Sequence, residues 1–405
     1  MSEDKPNKYL RIGYSYKKIV ERPLMSGDKL TVIQDWRKEA IKDDHPDNKN
    51  ILQEIPKYDG TIVHPNHLSY KREVGGFYNL YEPLPYKPEK GSCETILMFL
   101  NHIFQEQIEL GLDYLKLLYE KPTQMQPVLC LISQLRKTGK TTFLDLLKAM
   151  YGRNMTINST QDLQSRFNSD LAGKIVIGVE EVLFEKLEDT ERIKHLSTSR
   201  SFKAEAKGKD REEVNFFAKF ILLSNHEETF LKIQPGEDRF WVIKVKPFEK
   251  EIVNLLDQMI KEIPQFFNYL LSRDYSTENK TRMWFEFKDI ETEALKKVIS
   301  YNKNKLEIEL INIFLTIMEN FEEDNLDFQI NDLVNLLSKS THRADLTKIR
   351  KIVKEKWKLK PAKNTLTYKK YALLSDGSFT EMSEKGRYFS ISKEWINENF
   401  DELMS

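Results

Sequence analysis

A chain of 405 residues is long enough for two or three domains, each with its own core. Its 63 basic and 63 acidic side chains cancel, so overall charge selects no partner and any nucleic-acid contact must come from a local patch. The two cysteines, Cys93 and Cys130, sit among apolar neighbours, which excludes a disulfide framework and fits a reducing compartment. There is no signal peptide and no apolar run long enough to cross a bilayer, so no membrane partner is expected. The seven histidines are scattered without zinc spacing, and His64 with His67 reads as a surface turn.

Residues 1–90 read as a mixed region. Strand-like pieces at Tyr9–Tyr14 and Leu30–Ile33 alternate with charged stretches and with turns at Asp59-Gly60 and Gly75-Gly76. Residues 91–126 read as helical. Ile96, Leu97, Leu100, Ile103 and Phe104 share one face, Leu110–Leu118 gives a second, and Pro122 and Pro127 end the block.

Residues 127–250 carry the chemistry. Val128–Ile132 is an apolar run expected to be a buried strand. A loop follows, ending in Thr138-Gly139-Lys140-Thr141-Thr142, and an apolar-periodic helix runs from Phe143 to Met150, with Gly152 as its stop. Strand, Gly-Lys-Thr loop and helix make a phosphate-binding arrangement. Amide N–H groups at a helix N-terminus attract an anion, Gly139 removes a Cβ from the approach, Lys140 reaches the outer phosphates and the Thr141 hydroxyl ligates Mg²⁺. The full spacing asks for a glycine where this chain has Gln134, and Arg136 and Lys137 replace the usual small residues.

Residues 153–173 are polar, with Leu163 and Phe167 as anchors. A strand from Lys174 then runs into Glu180-Glu181. Acids at the C-terminal end of a buried strand are placed to hold Mg²⁺ and to polarise a water; the plainer reading is a strand leaving for solvent. A helix is expected over 183–199. A polar hairpin around Gly208 follows, with Lys203, Lys207, Lys209 and Arg211, then a buried strand Ala218–Leu223 that ends in Ser224-Asn225. Arg239 precedes a strand over Phe240–Val245; its plainer reading is an ion pair with Glu237 or Asp238.

Residues 251–302 read as a helical connector, interrupted or kinked at Pro264, with an aromatic patch at Trp284, Phe285 and Phe287. In residues 303–405, helices are expected at Leu306–Ile317, Phe328–Leu337 and Arg343–Trp357. The last of these buries Leu346, Ile349, Val353 and Trp357. A hairpin of Thr365–Leu373 and Arg387–Ile391 turns at Asp376-Gly377. Three helices and a hairpin suggest a winged-helix-like α+β domain. Between Arg343 and Lys370 stand eleven basic against two acidic residues, among them Lys348 and Lys351, which fits phosphate contacts; a solvated helix face is the alternative.

Taken in order, these motifs resemble the superfamily 3 helicases of the AAA+ class, and more closely the helicase part of phage- and poxvirus-type primase–helicases. The resemblance covers residues 75–250. It implies an α/β fold with a P-loop AAA+ core, a collar-like helical segment before it, and a homo-oligomeric, hexameric ring. It also implies ATP with Mg²⁺, single-stranded DNA as substrate, a possible separate primase, and a phage or mobile element acting in the bacterial cytoplasm. By resemblance, Arg136 to Thr142 bind the nucleotide, Glu180 is the metal-associated acid, Glu181 the catalytic acid and Asn225 the polar sensor. Arg239 matches an arginine finger reaching a neighbouring subunit, and Lys203, Lys207 and Lys209 match lysines that grip DNA. A nucleotide-binding replication or assembly factor that does not unwind is the alternative, and a different AAA+ motor a third.

Overall fold

The computed structural model describes residues 8–23, 29–164, 171–184, 186–204, 212–233, 237–250, 252–337, 345–374 and 376–400. The chain splits into two compact units, Met1–Lys232 with Gly236–Lys296, and Lys297–Ser405 with Ile233–Pro235.

The first unit opens with β1 (Tyr9–Ile12), β2 (Ser15–Pro23), β3 (Lys29–Asp35), α1 (Lys38–Asp44), α2 (Ile51–Glu54) and β4 (Lys57–Tyr58). The four strands form a sheet in the order β3-β2-β1-β4, over a small core of Tyr9, Ile41 and Ile55. Three short strands follow, β5 (Thr61–Ile62), β6 (Glu73–Val74) and β7 (Phe77–Asn79). Then come α3 (Glu94–Phe104) and α4 (Ile108–Glu120). Gly111 lets α4 lie against Phe104, whose ring a Cβ there would meet at 2.4 Å.

The main sheet consists of β8 (Val128–Ile132), β9 (Met155–Ser159), β10 (Val176–Glu180), β13 (Lys219–Ser224) and β14 (Phe240–Lys244). Its order is β14-β8-β13-β10-β9 and every pairing is parallel. Parallel strands covered on both faces are read as unbroken apolar runs, and every residue of β8 is 1 % exposed or less. Between these strands lie α5 (Lys140–Tyr151), α6 (Thr160–Gln164) and α7 (Leu187–Thr198), then the antiparallel pair β11 (Ser201–Ala204) and β12 (Glu212–Asn215). Strand β9 is not expected from the sequence, because MTINS reads as polar; it is the edge strand beside β10. The anchor expected at Phe167 lies outside the described residues.

Helix α8 (Leu255–Ser272) runs unbroken through Pro264, so of the expected interruption or kink the interruption does not occur. Its buried stripe of Met259, Ile263, Phe266, Phe267 and Leu270 supplies packing that outweighs the missing N–H. The Glu262 carboxylate on the same helix caps α3, accepting from Thr95 N at 3.3 Å, Thr95 Oγ1 at 2.5 Å and Ile96 N at 3.0 Å. The chain leaves α8 through a polar anchor. Asp113 of α4, fully buried, accepts from Arg273 Nη1 at 2.5 Å, from Ser276 N and Oγ at 3.1 and 2.9 Å, and from Thr277 N and Oγ1 at 2.9 and 2.7 Å. α9 (Phe287–Ile290) follows, and then α10 (Glu293–Asn320).

The surface turn expected at His64 and His67 is corrected at His67. Its ring is packed beside Tyr81, Tyr119 and Tyr151, with Nδ1 2.7 Å from Tyr119 O and Nε2 2.7 Å from Tyr81 Oη. Burial lowers its pKa to about 4, against the pull of the Tyr119 carbonyl; the Lys219 charge adds to the lowering. In the unfolded chain the same ring titrates near 6.5. The unfolded state therefore binds the extra proton first, and stability present above about pH 6.5 is lost as the pH falls toward 4. His67→Gln is expected to remove about 2 kcal/mol of that acid loss, after allowance for the partly exposed ring. Urea unfolding of both proteins at pH 7 and pH 4.5 measures it, and identical losses would reject it.

The second unit adds β15 (Asn325–Phe328), α11 (Ile330–Leu336), α12 (Leu346–Lys351), β16 (Leu366–Leu373), β17 (Phe379–Gly386), β18 (Phe389–Ser392) and α13 (Lys393–Phe400). Three expectations change here. Phe328 ends a strand paired with β18, and α11 starts only at Ile330, after a capping box of Gln329 and Asp332. The hairpin partner of β16 is β17, while the expected Arg387–Ile391 strand lies in β18 and pairs with β15. The third helix starts at Leu346, capped by Asp345, and turns into a π-helix over Ile352–Lys356. Ile349, Val353 and Trp357 are buried as expected, whereas Leu346 is 41 % exposed. Among the described residues no helix is long and apolar enough to cross a membrane.

Candidate functional site

The order of the main sheet locates a crevice. After β8 the chain crosses to the far edge at β9, returns through β10 and β13, and then places β14 on the other side of β8. Open parallel sheets bind ligands at such a reversal, beyond the C-terminal strand ends. A cleft of about 770 Å³ lies there, lined by Lys140 and Thr141 at the start of α5, Ile157 to Gln161 from the end of β9 into α6, Glu180 and Glu181 at the end of β10, and Leu223 to Asn225 at the end of β13. Five residues singled out in the sequence, Lys140, Thr141, Glu180, Glu181 and Asn225, thus share one cleft.

Hydrogen bonds between strand ends fix its walls. Val182 N donates to Leu223 O at 2.8 Å, Ser224 Oγ to Val182 O at 2.7 Å, and Ser133 N to Ser224 O at 3.1 Å. Glu181 sits in the turn so formed at φ +51°, a left-handed conformation that a residue with a Cβ adopts at a cost. On the β9 side, Ser159 and Asp162 form a reciprocal cap: the Asp162 carboxylate accepts from Ser159 N and Oγ, both at 2.7 Å, and Asp162 N donates to Ser159 Oγ at 3.3 Å. The Ser-x-x-Asp spacing is the sequence signal for this wall, and the reading of the motifs passes over it.

The loop between β8 and α5 is held from outside the cleft. Gln134 N donates to Glu227 Oε1 at 3.1 Å, and Glu227 Oε2 pairs with Lys244 at 2.5 Å. Phe248 N donates to Lys137 O at 3.3 Å, and His102 Nε2 lies 3.1 Å from Thr138 O. The His102 and Phe248 rings stack with centroids 3.8 Å apart. Gly139 enters α5 at φ +87°, and a Cβ there would meet Phe248 at 3.0 Å and Phe99 at 3.1 Å, so both conformation and packing demand glycine. Lys137 is also left-handed, at φ +57°. Sequence reading missed Glu227, His102 and Phe248, whose roles depend on contacts far along the chain.

Lys140 is 8 % exposed, and its Nζ donates to Ser133 O at 2.9 Å and Asn225 Oδ1 at 3.2 Å. Burial lowers its pKa, opposed by Glu227. An ammonium held against one carbonyl and one amide, with no carboxylate in direct contact among the described residues, is disposed to accept an anion. Thr138 is buried, Arg136 and Lys137 are exposed on the loop, and Thr142 is half-buried on α5; none of these four lines the cleft.

Arg239 lies elsewhere. It precedes β14, whose first residue pairs with Val128 at the start of β8, so it stands at the opposite rim of the sheet, about 16 Å away along a five-residue strand. Its Nε lies 3.5 Å from Glu237 Oε1 without hydrogen-bond geometry, and Glu237 is also paired with Lys194 at 2.7 Å. Lys203 is exposed on β11, Lys207 and Lys209 lie outside the described residues, and Lys348 and Lys351 are exposed on α12 in the second unit.

Residues 131–239 match a family of unknown function, DUF5906. Among solved structures, the apo C-terminal region (305–718) of NrS-1 is similar at TM-score 0.57 and 17 % identity, over 93 % of this chain and 96 % of that one. An A-form apo structure of the same region gives TM-score 0.56 and 17 % identity over 95 % of each chain. JCV helicase bound to a small molecule gives TM-score 0.29 and 16 % identity, over 57 % of this chain and 66 % of that one. No curated protein sequence matches. The chain therefore has a mixed α/β fold similar to that of the NrS-1 C-terminal region.

Proposed function

We propose that this chain is an ATP-dependent DNA helicase or translocase serving the DNA replication of a phage or mobile element, and that it hydrolyses ATP at the subunit interfaces of a ring. The observation that carries the reading is the cleft in which a buried lysine, a threonine at a helix N-terminus, two carboxylates and an asparagine meet at the ends of parallel strands. A strand between the loop strand and the acidic strand, as β13 is here, fits a P-loop AAA+ core. The helicase likeness of the motifs supplies the substrate class.

In this reading Lys140 exchanges Ser133 O and Asn225 for phosphate oxygens, and the N-terminus of α5 adds its amide groups. The Thr141 hydroxyl and the Glu180 carboxylate are hard oxygen donors suited to Mg²⁺, which keeps several waters and needs few protein ligands. When bound, Mg²⁺ neutralises charge on the outer phosphates. Glu181 accepts a proton from the attacking water and orients it, and Asn225 holds a γ-phosphate oxygen or that water. Arg239 stands on the far rim of its own sheet; in this reading it serves the cleft of a neighbouring subunit and stabilises charge on the γ-phosphate there. The β11–β12 hairpin, with Lys203 on one strand and Lys207 and Lys209 between the strands, grips single-stranded DNA through its phosphates. The second unit is winged-helix-like: α12 buries Ile349 and presents Lys348 and Lys351 to nucleic acid. A primase is a separate partner.

The test is ATP hydrolysis with and without single-stranded DNA, for the wild type and Lys140→Ala. DNA-stimulated turnover, reduced at least about 100-fold in the variant, is expected. Equal turnover in both proteins would remove the site assignment. ATP binding without turnover would favour a replication factor that does not unwind.

A further inference from the structure

The proposed phosphate site depends on which way the peptide groups of its loop point. A trans peptide sets its carbonyl and its N–H on opposite sides, so fixing one fixes the other. Two successive carbonyls of this loop are fixed from outside: Lys137 O by Phe248 N, and Thr138 O by His102 Nε2. Both donors lie far away in sequence, His102 on α3 and Phe248 after β14. The carbonyl of Thr138 only accepts, so His102 must carry its hydrogen on Nε2. Stacking on Phe248 at 3.8 Å, with the planes 11° apart, holds the imidazole in that orientation.

We propose that His102 is a positioning residue for nucleotide binding: by holding the Thr138 carbonyl outward it turns the Gly139 N–H, at the mouth of α5, toward the bound phosphates. This rests on the phosphate-site reading above. The missing loop glycine at position 134 and the charged Arg136 and Lys137 give the loop a sequence that does not set its peptide orientations unaided, and His102 with Phe248 sets them from the rim. Phe99, which also touches Gly139, completes the support on the same side.

The experiment compares Mg-ATP binding, by titration with a fluorescent ATP analogue, for the wild type, His102→Phe, His102→Leu, His102→Gln and Lys140→Ala, with the melting temperature of each. His102→Phe keeps a stacking ring and loses the donor, and its affinity is expected to fall about tenfold, the equivalent of one hydrogen bond to an anion-binding loop. His102→Gln restores an N–H donor and is expected to bind within about threefold of wild type. The melting temperatures should stay within about 3 °C. Normal affinity in His102→Phe, with binding lost in Lys140→Ala, overturns the positioning role and leaves the phosphate site standing. Normal affinity in Lys140→Ala removes the phosphate site itself. Equal loss in His102→Gln and His102→Phe assigns the effect to packing and overturns the proposal. His102→Leu is read in place of His102→Phe if that variant melts early, and early melting of both non-donor variants equally overturns it.

Discussion

Glu181→Gln is expected to slow ATP hydrolysis by about 10²- to 10⁴-fold while ATP still binds, because in the proposed mechanism it removes the proton acceptor and leaves the phosphate contacts in place. Glu181 is exposed in the cleft at the end of β10, in a left-handed turn closed by Val182 N on Leu223 O. The amide keeps the size and the hydrogen-bonding reach of the carboxylate, so the turn should persist and the melting temperature should not move. Single-turnover hydrolysis and equilibrium ATP binding, measured on the same protein, separate the two effects. Unchanged hydrolysis would move the acid to Glu180, which shares the cleft.

The second large effect is on stability. Asp113→Ala is expected to cost about 3–5 kcal/mol, the range for removing one partner of a buried charged pair. Five donors lose their acceptor at once, and Arg273 is left with Glu109 as its other carboxylate partner, at 2.7 Å. Burial opposes the Arg273 charge and the Asp113 and Glu109 carboxylates outweigh it, raising its pKa; an arginine keeps its charge even when Asp113 goes, so the variant leaves a half-compensated buried cation. Asp113→Asn should cost less, since one amide oxygen still accepts. Chemical denaturation midpoints rank the three proteins. An Asp113→Ala midpoint equal to that of wild type would mean that water replaces the anchor without loss.

What the sequence made legible follows from where each segment is buried. Strands β8, β10, β13 and β14 are covered on both faces and read as apolar runs, so their ends, where Glu180 and Asn225 stand, could be found as well. Strand β9 has only Met155 and Ile157 as apolar residues, and β17, FTEMSEKG, has no buried residue, so neither shows a pattern. The misreading at Phe328 arises because a strand passes directly into a capped helix, and the apolar residues on both sides of the junction look like one stripe. Lys140 and Thr141 carry a local motif. His102 and Phe248 carry none: each reaches the loop only through the fold, from 36 residues before Thr138 and from beyond β14 respectively.

The strand order also sets a timetable for synthesis. Both neighbours of β8 come later in the chain, β13 from Lys219 and β14 from Phe240. A ribosome adding about 5–20 residues per second leaves β8 without its second neighbour for about 5–20 seconds. Throughout that interval five apolar residues keep one hydrogen-bonding edge open, the kind of edge that pairs with other chains until a neighbour covers it. The same order warns against trimming: a fragment confined to residues 131–239 would lack all of β14 and most of β8, and would leave the cleft without its supporting edge.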